Sequence, residues 1–249
     1  MDRERFYVEM GGGRNLDYEI YLNTQDLLAC QKPFDKFCNK DELQFQVVHQ
    51  VEELWMKLIA YSLLDIDEYL EQQQAFRVLT LFERCNRTLR LMIDQLELLE
   101  TMSPKEYQQI RLQLGNGSGQ ESPGFRVLLK MVPLIWQTFE RVYLSGRNTS
   151  IEKIYDDGYV HDDAYAVAEA MLNFDELFQK FRLHHIFLIQ RSIGMGAASL
   201  KGRSVDLLQA GAKHRFFPAL WDIRAAMTDR WGDSHGRVRD SIASKMTDP

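Results

Sequence analysis

Residues 41–73 limit the fold more than any other stretch. The run contains no glycine and no proline, and apolar side chains recur at Phe45, Val48, Val51, Trp55, Ile59, Leu63 and Ile66. Steps of three and four residues are the period of a helix with one buried face. The spacing predicts a helix roughly 50 Å long, with Asn39 or Asp41 as its cap. Only partners of similar length can cover such a face. His49 follows Phe45 by one turn, so the two side chains leave the helix on the same side. An imidazole beside a phenyl ring on an apolar face is either core packing or the wall of a pocket.

The rest of the chain supplies the partners. Helical patterns run over about 75–100, 125–144 and 163–193. Ser103, Pro104 and Glu106 form a helix start, with a capping serine, proline at the first helical position and glutamate at the capping-box position. That helix carries Tyr107 and Arg111 on one face and ends at Gly115. Thr24 is expected to cap a short helix through Gln31, with Tyr18 and Tyr21 just before it. Pro133 should kink the helix of 125–144 or mark its start. Residues 194–202 read as a loop, followed by helical segments near 205–210 and 218–227. Strand-type alternation is not evident. The expected organisation is all-α: a flexible arm over 1–16, one helical domain over 17–230, and a polar, mobile tail over 231–249.

Composition narrows the function classes. With 249 residues, 45% apolar and 27% charged, the chain can build a substantial single core. A net charge of −6 gives no general attraction to nucleic acid or to anionic membranes. No apolar run is long enough to span a bilayer, and the first residues are too polar for a signal peptide. Cys30, Cys38 and Cys85 lack metal-type spacing and are odd in number, so a reducing cytoplasm is the expected setting. No haem-attachment signature is present, so any haem would be held non-covalently.

Several motifs carry little chemistry. The glycines of 115–119 lack a phosphate-loop ending, and those of 194–196 follow a helix where a dinucleotide fingerprint needs a strand. Glu52 and Glu53 are neighbours pointing in different directions, and no helix carries the carboxylate–histidine spacing of a di-iron site. The pair His184-His185, set among Phe178, Phe181 and Phe187, says more. Adjacent helical residues point about 100° apart, so at most one of the two faces a given cofactor. One reading is a buried histidine beside a surface one; the other is an axial haem ligand. Arg111 is either an exposed helix arginine or, facing a pocket, a bidentate clamp for a carboxylate.

Four separated motifs, in order, resemble the tryptophan 2,3-dioxygenase family of haem enzymes. The first holds Tyr18, Tyr21, Leu28 and Gln31; the second Asp41, Phe45, His49, Glu53, Trp55 and Lys57. The third runs from Leu99 and Glu100 through Pro104, Glu106 and Tyr107 to Arg111. The fourth holds Phe181, His185, Arg191 and Gly194, followed by Phe216, Trp221 and Arg224. The resemblance covers about residues 18–224 and implies a helical haem-binding domain of that type.

By that resemblance, His185 is the axial ligand of a haem b iron and His49 stands on the distal side, accepting or relaying the indole N–H. Phe45 packs against the indole, Tyr107 lines the pocket, and Arg111 pairs with the amino-acid carboxylate. Tyr18 and Tyr21 close a site, often that of a neighbouring subunit, which implies a homo-oligomer: a dimer, or a tetramer built from dimers. The expected activity is oxidation by O2 of the indole C2=C3 bond of L-tryptophan or a substituted tryptophan, giving an N-formylkynurenine-type product. The segment 194–202 departs from the family's glycine- and serine-rich loop but keeps a hydroxyl at Ser199, counted among the substrate-binding residues. That departure keeps in view a monooxygenase of secondary metabolism forming a 2-oxindole; an alternative of another class is a non-catalytic protein whose haem is held by both His49 and His185.

Overall fold

The computed structural model describes residues 2–115, 119–156, 160–194 and 214–234. Among these, every regular element is helical. Four long helices form the body: α4 (Glu42–Glu71), α5 (Ala75–Leu99), α7 (Pro123–Phe139) and α9 (Asp163–Ile193). Helix α5 packs along both α4 and α9, and α7 lies against the other side of α4. Phe125 of α7 stacks on Phe178 of α9 with ring centroids 5.6 Å apart, which closes the bundle. The core runs along its axis through Ile59, Leu63, Phe82, Leu89, Val132, Phe139, Phe174 and Phe178. Three short helices precede the body: α1 (Arg3–Met10), α2 (Asp17–Leu22) and α3 (Thr24–Leu28). Helices α6 (Pro104–Gln113), α8 (Ile151–Asp156) and α10 (Pro218–Ser234) complete the order. No helix among the described residues is long and apolar enough to cross a membrane.

Several local expectations need correction. Asp41 makes no side-chain cap. Glu42 instead reaches back to accept from the Cys38 amide at 2.5 Å and from Lys32 Nζ at 3.0 Å. Thr24 does not cap α3: the residue before it, Asn23, sits at φ 52° and makes no side-chain cap either. Tyr18 and Tyr21 do stand just before α3, on a short helix of their own, α2. Pro133 neither starts nor ends its helix; α7 begins ten residues earlier at Pro123, capped by Ser122 Oγ accepting from the Phe125 amide at 3.0 Å. After Phe139 the chain widens into a π-helical stretch, Glu140–Leu144. The segment read as an arm contains α1, whose Tyr7 stacks on Phe34 at 4.1 Å. The helix expected near 205–210 lies outside the described residues.

Two glycines answer to geometry. Gly194 follows α9 at φ 89°, a left-handed conformation that ends the helix without strain. Gly124 sits where α7 crosses α4 so closely that a Cβ would lie 2.7 Å from Met56 Cβ and 2.8 Å from Glu53 Oε2. Its amide donates to Glu53 Oε2 at 2.9 Å, and Ser122 Oγ donates to the other oxygen of the same carboxylate. Glu53 therefore holds one orphan amide of the α7 N-terminus together with the hydroxyl that caps it.

Candidate active site

The site grows from the exposed end of the α4 core stripe. Phe45 and His49, one turn apart, place their rings 4.1 Å from centroid to centroid, and Tyr107 of α6 lies 6.3 Å from Phe45. Helix α6 is set by its own sequence and by α4. Ser103 and Glu106 form the expected capping box, with Ser103 Oγ accepting from the Glu106 amide at 3.3 Å and Glu106 accepting from the Ser103 amide at 3.2 Å. Asn39 fixes the angle between the helices: its amide donates to the Glu106 carbonyl and to Gln109 Oε1, both at 3.0 Å. Its oxygen accepts from the Asp41 amide at 3.0 Å. Asn39, expected as a cap, instead joins the helix carrying Tyr107 and Arg111 to the one carrying Phe45 and His49.

His49 has a defined donor and acceptor side. Its Nδ1 lies 2.7 Å from the Phe45 carbonyl oxygen. A carbonyl only accepts, so Nδ1 carries the hydrogen and Nε2 keeps its lone pair. Burial holds the imidazole pKa below its ordinary value, with the Phe45 carbonyl and Glu53 opposing weakly. The ring is neutral at neutral pH and offers an acceptor on its inner edge.

Helix α9 supplies the opposite wall. Burial drives the pKa of His185 down to about 4, and the nearby His49 lowers it further. Each ring keeps some accessible surface. The His185 ring lies nearly parallel to that of Phe181, at 6° and 6.5 Å. His184 turns the other way, its Nε2 3.1 Å from Glu100 Oε1. The adjacent pair thus divides as helical geometry requires: one histidine is engaged by a carboxylate, the other is neutral and faces His49.

Arg111 sits one turn beyond Tyr107 on α6, close enough for its charge to oppose the burial-driven rise of the Tyr107 pKa. Its Nη1 reaches Gln108 Oε1 at 3.4 Å. Tyr18 and Tyr21 are 70% and 88% exposed on α2, so within one chain they do not join this group. Ser199 lies outside the described residues.

Two contributors escaped the sequence reading. Gly119, in a stretch read only as a loop, approaches His185 so closely that a Cβ would lie 3.4 Å from Cε1 and 3.8 Å from Nε2. Asp175, buried on α9, accepts from the Phe216 and Phe217 amides at 3.0 and 3.1 Å and from Trp221 Nε1 at 3.0 Å. It fastens residues 216–221 to α9 below the site. Arg182 completes that floor, donating to the His214 carbonyl at 2.7 Å with its guanidinium 4.7 Å from the Phe178 ring and 5.0 Å from that of Phe216. Burial lowers its pKa to about 10, opposed by Asp175.

The sequence model of tryptophan 2,3-dioxygenases matches residues 3–133. The chain is similar to the tryptophan 2,3-dioxygenase of Myxococcus xanthus, at 28% identity over 85% of this chain and 89% of that protein. It is 26% identical to that of Serratia proteamaculans, over 85% and 93%, and to that of an Arthrobacter species, over 84% and 91%.

Proposed function

The chain belongs to the tryptophan 2,3-dioxygenase family, and from that premise we propose that it is a haem-dependent oxygenase of L-tryptophan or a substituted tryptophan. The supporting observation is the tautomer of His49. With Nδ1–H given to the Phe45 carbonyl at 2.7 Å, Nε2 is left to accept from an N–H donor. The indole ring of tryptophan carries such a donor on a flat apolar body, and Phe45 and Tyr107 line the same side.

The residues suit a b-type haem. Iron takes a neutral imidazole nitrogen, and burial keeps His185 neutral well below neutral pH. His184 is already engaged by Glu100. Haem bound at His185 supplies the dioxygen chemistry, directed at the C2=C3 bond of the indole. The protein's own part is placement. His49 Nε2 holds the indole N–H, Phe45 packs on the ring, and Arg111 offers a planar fork to the amino-acid carboxylate. No side chain needs to act as a strong base: insertion of both oxygen atoms gives an N-formylkynurenine-type product without an external reductant. Tyr18, Tyr21 and their exposed neighbours Leu16 and Ile20 meet a second copy of the chain, so the working form is a homo-oligomer.

Turnover of the reduced, haem-loaded protein with L-tryptophan and methylated tryptophans under labelled dioxygen tests this, read by mass spectrometry. Two labelled oxygens in the product support the dioxygenase reading. One assigns a 2-oxindole-forming or hydroxylating enzyme on the same scaffold, and no indole product overturns the substrate. One observation favours a second reading: the Nε2 lone pair that suits an indole N–H also suits iron, and His49 lies near enough for its charge to lower the pKa of His185. A low-spin six-coordinate ferrous spectrum would select that bis-histidine protein.

A further inference from the structure

We propose that Glu100 is a positioning residue that sets which face of α9 meets the cofactor, and so delivers His185 rather than His184. This rests on the reading of His185 as the axial ligand. Glu100 closes α5, a helix that packs along α9. One oxygen of its carboxylate lies 3.1 Å from His184 Nε2, and the other lies 3.6 Å from Arg191 Nη1. Residues 184 and 191 are seven apart, two helical turns, so they lie on one stripe of α9. A single carboxylate therefore contacts α9 at two levels, beside His185 at His184 and nearly two turns later at Arg191.

The consequence is rotational. His185 projects about 100° from His184 around the helix axis. Holding His184 against α5 leaves His185 turned toward α4 and His49. Asp175 and Arg182 hold another face of α9 to residues 214–221, and the Glu100 contact adds the polar hold on the stripe that turns His184 away. The inner contact carries most of the effect: His184 and Glu100 are both mostly shielded from solvent, whereas Arg191 is largely exposed. Glu100 also begins the connection to α6, with the Thr101 hydroxyl accepting from Gln44 Nε2 of α4 at 3.0 Å. The residue that orients the axial histidine thus sits at the root of the helix bearing Tyr107 and Arg111.

The test compares Glu100→Ala, Glu100→Gln and His184→Ala with the parent protein, all folded by circular dichroism. In the haem-loaded ferrous proteins, resonance Raman reads the iron–histidine stretch, and transfer to apomyoglobin reads haem loss. Glu100→Ala is expected to split or shift the stretch and to release haem about 10-fold faster, the scale of outer-shell partners of metal-bound histidines. His184→Ala should match it, the double variant should be no worse than either single one, and Glu100→Gln, which still accepts from His184, should stay near the parent. In the apoproteins, histidine ring resonances read the same orientation without haem, and the His185 signals should move in Glu100→Ala but not in Glu100→Gln. An unchanged stretch and unchanged His185 resonances in Glu100→Ala overturn the positioning role. Tight haem binding by His185→Ala overturns the underlying ligand assignment instead, whatever the Glu100 variants do.

Discussion

The long-helix bundle and the N-terminal helices use apolar residues in opposite ways. Helices α4, α5, α7 and α9 each bury a stripe of them, whereas α1, α2 and α3 bury no residue. Yet α2 and α3 carry Tyr18, Ile20, Tyr21, Leu27 and Leu28, all exposed in the single chain. Apolar side chains left outside a core of this size are placed for something other than the fold of their own chain. The bundle also leaves apolar residues exposed, Tyr61, Phe76 and Phe187 among them, but it adds exceptions of a second kind. They are polar groups in an apolar setting: Glu52, Asp175, Arg182 and the facing histidines. The first kind lies on the outside of the chain, the second within the bundle.

The strongest break in the bundle should come at Asp175. Replacing it with alanine strands two buried amides and the half-buried Trp221 N–H, a loss expected to be about 4 kcal/mol in urea unfolding, with residues 216–221 released from α9. Gly124→Ala comes next, because its Cβ would be forced against Met56 and Glu53. Overpacking of that kind costs about 1–3 kcal/mol, read by the same measurement.

Glu52 sharpens the comparison through pH. Burial raises its pKa to about 7 in the folded chain from an ordinary 4.5, opposed by Gln95 and aided by Glu53. The folded state keeps a proton that the unfolded state gives up, so stability falls as pH rises from about 4.5 to about 7 and then levels. Glu52→Gln should remove that fall and gain on the order of 2 kcal/mol at pH 8, with little change at pH 4. A parallel pH profile for parent and variant would contradict the burial argument.

The smallest effect on folding belongs to the N-terminal helices. Tyr21→Ser should change monomer unfolding by less than about 0.5 kcal/mol while weakening self-association in sedimentation. A large loss of monomer stability would mean α2 packs on its own chain after all.

What the sequence revealed follows the same division. Period and capping chemistry are local, and they located α5, α6 and α9 closely and put His49 beside Phe45. The α6 capping box formed as its residues demanded. Contacts between distant segments were not legible. Asn39 and Thr24 have capping chemistry, yet Asn39 bonds to α6 and Thr24 caps nothing. Pro133 breaks helices in isolation but sits inside α7, whose N-terminus is fixed by Glu53, seventy-one residues away from Gly124. The tight approach at Gly124 and the binding of residues 216–221 by Asp175 have no local signature at all. The choice of His185 over His184 came from family resemblance; Glu100 supplies a physical counterpart that spacing alone could not.

The most direct test of the central claim is a haem titration of the parent, His185→Ala and His49→Ala, followed by visible spectra of the ferric and ferrous forms. The account predicts one haem per chain in the parent, loss of stable binding in His185→Ala, and near-parental binding with a five-coordinate ferrous spectrum in His49→Ala. Equal haem affinity in His185→Ala would contradict it, as would a parent whose six-coordinate ferrous spectrum collapses when His49 is removed.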